Sequence, residues 1–168
     1  IDSIAPYKRK ITVNTNGYNL KCLLPVITKL DKVIVSVMGD EKVNNEIVGV
    51  TPELDQIKEF HRLNPSLKLR VNSVVNKKGI DSFDKMEKFA LEMKKIGFTS
   101  IKFSEMSTDD CNDPNFVDLQ NLLKPYCSDL HQGDTLQHGC YLEPESLRKR
   151  CGIKTILNLT CKCKKTIK

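Results

Sequence analysis

Short β-branched runs alternate with segments of helical spacing along the first two thirds of this chain, and that alternation constrains its fold more than any other feature. Lys10–Asn14, Lys32–Val37, Leu67–Val75 and Ser100–Phe103 read as strands. Between the first two, Leu20, Leu23, Leu24 and Ile27 share one face of a helix predicted over Leu20–Leu30, with Pro25 as a break in the pattern. Thr51-Pro52-Glu53 reads as the start of a second helix, whose Leu54, Ile57 and Phe60 turn inward. Asp81 or Ser82 caps a third, with Phe83, Met86, Ala90 and Met93 in one stripe and Gly97 as its end. A last helix is expected over Phe116–Lys124. Strand and helix in strict alternation predict an α/β fold with parallel strands and right-handed crossovers.

In such sheets ligands sit at the carboxyl ends of the strands. Those ends are polar here. The first closes in Asn14-Thr15-Asn16-Gly17, where Asn-Gly is a turn signal but three hydrogen-bonding side chains exceed what a turn needs. The second ends at Ser36, the third carries Arg70 and Asn72, and the fourth ends in Ser104-Glu105-Met106. Strands buried on both faces read as continuous apolar runs, which Ser36 and Asn72 interrupt. A buried Asn requires a partner, so each position asks for a ligand, a water or a network.

Other chemistries lack their motifs. No GxGxxG follows a strand, and neither GxxxxGK[ST] nor GxSxG occurs. His61, His131 and His138 match no triad order. The chain contains 39% hydrophobic and 29% charged residues, ordinary for a globular domain of 168 residues. No apolar run approaches the ~20 residues that span a bilayer, and no signal-peptide pattern is present. These features predict a cytoplasmic protein that makes no membrane contact.

Taken together, VNTNGYNL, KVIVSV, LRVNSVVNKKGI and IKFSEM resemble the later part of a radical SAM domain. The likeness is greatest to the molybdenum-cofactor GTP cyclase family of that superfamily, and it covers residues 11–106. The resemblance implies a partial (β/α) barrel of about four β/α units. It implies S-adenosylmethionine and a 4Fe-4S cluster as cofactors, and hydrogen abstraction by a deoxyadenosyl radical. Cofactor contacts would fall on Thr15, Asn16, Ser36, Asn72, Glu105 and Met106. Asn14 and Arg70 would face a small-molecule or peptide substrate, although the family carries threonine and lysine there. The CxxxCxxC loop that holds the cluster is absent. The expectation is therefore a fragment of a radical SAM enzyme, starting after the second barrel strand and inactive by itself. A barrel opened at that point exposes a strand edge, which predicts pairing with a second copy.

The chain divides at residue 123. Residues 1–123, the half-barrel, hold 18 Lys and Arg against 17 Asp and Glu; residues 124–168 hold 9 against 4. The basic excess thus lies in the C-terminal extension. Five of the seven cysteines lie there too, and the odd number without a secretion signal argues against a disulfide framework. Cys140, Cys151, Cys161 and Cys163 form a candidate metal set for an auxiliary iron–sulfur cluster, or for zinc with His131 or His138. Buried or reduced thiols are the simpler reading. From a different class comes the competing function: an α/β binding module whose metal-stapled basic tail contacts nucleic acid or a partner protein.

Overall fold

The computed structural model describes residues 10–108, 113–126, 140–142 and 145–159. Six strands are present: β1 (Thr12–Thr15), β2 (Lys32–Ser36), β3 (Lys68–Val75), β4 (Ser100–Glu105), β5 (Cys140–Leu142) and β6 (Lys154–Leu159). They form one sheet in the order β1-β2-β3-β4-β6-β5. The first five in that order are mutually parallel, and β5 runs antiparallel at the far edge. The α/β fold with parallel strands is as the alternation predicts. The extension contributes to this same sheet, because β6 pairs with β4 from Ser100↔Lys154 to Ser104↔Asn158.

The helical elements differ more from the sequence pattern. Leu20–Lys29 is a 3-10 helix with Pro25 inside it. Proline has no N–H to give and crowds the preceding turn, so a regular α-helix is penalised there. Leu20 and Ile27 still reach the core. A helix unmarked in the sequence reading, α1 (Glu41–Val48), follows β2; Asp40 caps it by accepting the Val43 N–H at 2.9 Å, and Gly49 ends it in the left-handed region. The helix expected from Thr51 begins later, as α2 (Gln56–Leu63). Ser82 rather than Asp81 caps α3 (Phe83–Ile96), through the Lys85 N–H. The last two are α4 (Leu119–Leu123) and α5 (Glu145–Cys151).

Side chains on a strand alternate between the sheet faces. Val33, Val35, Leu69, Val71, Ile101, Phe103 and Leu157 all point one way, into a single core with Ile57, Phe60, Met86, Met93, Leu119 and Leu123 from the helices. The opposite face carries Thr12 and Asn14, then Lys32, Ile34 and Ser36, then Arg70 and Asn72, then Lys102 and Ser104, then Lys154 and Asn158. One face is thus a hydrocarbon layer and the other is polar. A uniformly apolar parallel sheet sandwiched between two helix layers is the usual pattern, and this sheet departs from it.

Candidate functional site

The parallel register sets the polar face out in transverse rows. Thr12, Lys32 and Lys68 form the row nearest the amino ends. Next come Asn14, Ile34, Arg70, Ser100 and Lys154. The third row holds Ser36, Asn72, Lys102 and Ile156. Val74, Ser104 and Asn158 follow, opposite Tyr141 of the antiparallel strand. Neighbouring strands lie about 4.8 Å apart, and each step along a strand advances ~3.3 Å. Ser36, Asn72 and Lys102 are therefore within reach of one small ligand.

Asn72 is the centre of the third row. Its Oδ1 is buried and has no hydrogen-bond partner among the described residues. A buried carbonyl oxygen left in that state costs roughly 1–3 kcal/mol. Three more deeply buried asparagines, by contrast, have both ends of the amide hydrogen-bonded. Asn44 accepts the Met38 N–H at 2.8 Å and donates to the Val50 carbonyl at 2.7 Å. Asn64 donates to the carbonyls of Ile27 and Leu30, each at 3.0 Å, and accepts the Ser66 hydroxyl. Asn76 accepts the Lys78 and Gly79 N–H groups and donates to the Val74 carbonyl. Asn72 stands out against these three.

The remaining positions singled out from sequence separate by face and role. Ser36 and Arg70 share the polar face with Asn72, and the Arg70 Nε lies 3.5 Å from the Ser100 hydroxyl. Asn14 lies exposed on that face at the edge strand. Met106, partly buried, continues the alternation of Lys102 and Ser104 just past β4. Thr15 and Asn16 close the turn: Thr15 Oγ1 accepts the Gly17 N–H at 3.0 Å, and Asn16 Oδ1 accepts the Tyr18 N–H at 3.2 Å. Glu105 turns to the opposite face, where its carboxylate accepts the Leu119 N–H at 3.0 Å and so fixes the start of α4.

The cysteine set is only partly within view. Cys151 is buried at the end of α5. Cys140 lies in β5 opposite Leu159, and Cys161 and Cys163 fall outside the described residues. Among the described residues no three His, Cys, Asp or Glu side chains are grouped to hold a metal ion. Nor is any described helix long and apolar enough to cross a membrane.

Sequence reasoning singled out Arg70 but not the lysines around it. Lys32, Lys68, Arg70, Lys102 and Lys154 all project from the polar face. Their crowding is felt at Lys32, whose ammonium is held below the ordinary lysine value, first by burial and then by Arg70, Lys68, Lys154 and Lys102. The signal was available in the alternation of LKLRVN, where Lys68 and Arg70 share a parity with Asn72. Family models, curated proteins and solved structures offer no match to this chain.

Proposed function

We propose that the carboxyl-end half of the polar face is the S-adenosylmethionine site of a radical SAM enzyme, carried by a partial (β/α) barrel. The unpartnered Oδ1 of Asn72 carries this reading. It is an acceptor held dry, one strand from the Ser36 hydroxyl and one from Lys102. A ligand that brings donors satisfies it, and S-adenosylmethionine brings ribose hydroxyls, an ammonium and the adenine amine. Ser36 can accept or donate to the same ligand. Lys102 and Arg70 suit its carboxylate by charge. Met106, beyond the fourth strand, offers a thioether and backbone groups to a flat base.

The iron–sulfur cluster fits less well. The described residues supply no grouped thiolates for it, and CxxxCxxC is missing from the sequence. When bound beside a cluster, S-adenosylmethionine supplies one-electron, hydrogen-abstracting chemistry. On this reading the chain's own residues bind and orient the ligand, and no electron donor is supplied by the described residues. The rival reading, a binding module working through a basic tail, draws on Lys124, Arg148, Lys149, Arg150 and Lys154 among the described residues and on Lys162, Lys164, Lys165 and Lys168 outside them.

Binding of S-adenosylmethionine to the 168-residue chain, followed by calorimetry, tests the proposal. Asn72→Leu is expected to weaken binding by roughly 5- to 100-fold, the scale of one buried hydrogen bond to a ligand. Folding stability is expected to change little, since the leucine removes an unsatisfied oxygen. No binding by the unsubstituted chain, or equal binding by Asn72→Leu, would overturn it. Iron and sulfide reconstitution of the chain is expected to give no 5′-deoxyadenosine.

A further inference from the structure

At the opposite end of the sheet, where the parallel strands begin, a hollow of about 540 Å³ opens between the first three strands and the loops that feed them. Among the described residues, Lys10, Lys29, Lys32 and Lys68 line it, with Asp31 as the carboxylate. Register explains the convergence. Thr12, Lys32 and Lys68 are adjacent in one transverse row, and Lys10 precedes Thr12 by two residues, on the same parity.

Asp31 does not neutralise the cluster. Its Oδ2 accepts the Ile11 N–H at 2.7 Å and ties the start of β1 to the start of β2. No ion pair joins it to a lysine among the described residues, and Lys10, Lys32 and Lys68 have no carboxylate partner there. Lys32 nevertheless sits partly buried among other cations. Partly burying a lysine among like charges is unfavourable unless something anionic joins it.

The wall is preformed. Asn64, buried to 8% exposure, clamps the carbonyls of Ile27 and Leu30, and its Oδ1 takes the Ser66 hydroxyl. Aspartate, asparagine and backbone groups thus hold the loops in place without pairing with Lys10, Lys32 or Lys68.

We infer that this amino-end hollow binds a small phosphate-bearing anion. The volume lies within the ~300–1,000 Å³ of small-molecule sites. Lysine ammonium groups with nearby hydroxyls suit phosphate oxygens. A nucleic-acid strand is a poorer fit, because single-strand binding relies on aromatic stacking platforms and no aromatic side chain among the described residues lines the hollow. The site is separated along the strands from the Asn72 pocket, so either can fail without the other.

Inorganic pyrophosphate is the probe, titrated into the full chain and followed by calorimetry at low and at physiological salt. Lys32→Gln/Lys68→Gln is expected to lose at least tenfold in affinity while melting no lower than the unsubstituted chain. Lys88→Gln/Lys95→Gln removes the same charge from the exposed side of α3 and is expected to stay within twofold. Absence of pyrophosphate binding overturns the inference, as does an equal loss in both double variants, which would mean diffuse charge alone. A ten-nucleotide single strand forms the competing arm. If it binds through Lys32 and Lys68 while pyrophosphate does not, the small-anion assignment falls.

Discussion

Gly17 stands at the junction of β1 and the 3-10 helix with φ near +82°, in the left-handed region where only glycine is at ease. A Cβ there would lie 2.7 Å from the Pro52 Cβ and 2.9 Å from a Val35 methyl. Its carbonyl accepts the Glu53 N–H at 2.8 Å, so the turn is clamped to the approach to α2. Gly17→Ala therefore combines backbone strain with a clash. It is expected to cost about 2 kcal/mol, seen as a lower urea midpoint with an unchanged slope. Asn14-Thr15-Asn16-Gly17 was legible in sequence as a turn. That Thr15 and Asn16 each spend an oxygen on closing it was not, since both turn-making and ligand-binding use the same groups.

The elements are held together by asparagines more than by ion pairs. Asn64 joins the end of the 3-10 helix to the loop before β3 through two carbonyls. Asn64→Ala leaves both without that donor, and it is expected to lower the melting temperature by roughly 4–8 °C, the equivalent of about 2 kcal/mol. Among the described residues each ion pair has at least one exposed partner, as in Lys78–Glu46 at 2.7 Å and Lys149–Glu145 at 3.0 Å. Pairs of that kind contribute little. At this scale the strands were nearly complete in the sequence, because β-branched runs bounded by turns are a local signal. The helices were less so. α1 is short and mostly polar, and its only fully buried side chain is Asn44. A helix with one buried polar residue presents no apolar stripe to read.

Across the whole molecule, the sheet separates charge that the sequence averages away. Residues 1–123 are nearly neutral by count, yet four of their cations, Lys32, Lys68, Arg70 and Lys102, meet Lys154 of the extension on one face. Lys32 is the reporter. Its pKa is lower in the folded chain than in the unfolded one, so the unfolded chain binds more protons in the interval up to 10.5. Charged Lys32 thus opposes folding at neutral pH, and that opposition fades as pH rises through its lowered value. Lys32→Gln is expected to raise the melting temperature by roughly 1–3 °C near pH 7, in keeping with like-charge costs of a few tenths of a kcal/mol. The gap between variant and unsubstituted chain should narrow toward pH 10.5, as thermal melts over pH 7–10 would reveal. Local pattern determined the α/β class, the parallel strands, the turn at Gly17 and the polar strand ends, because period and turn chemistry act over a few residues. Only the tertiary structure decided that Asn72 is left without a donor while Asn44, Asn64 and Asn76 are satisfied. It alone also brought Lys10, Lys32 and Lys68 into one hollow, because hydrogen-bond satisfaction and charge crowding depend on register between strands separated by twenty to forty residues.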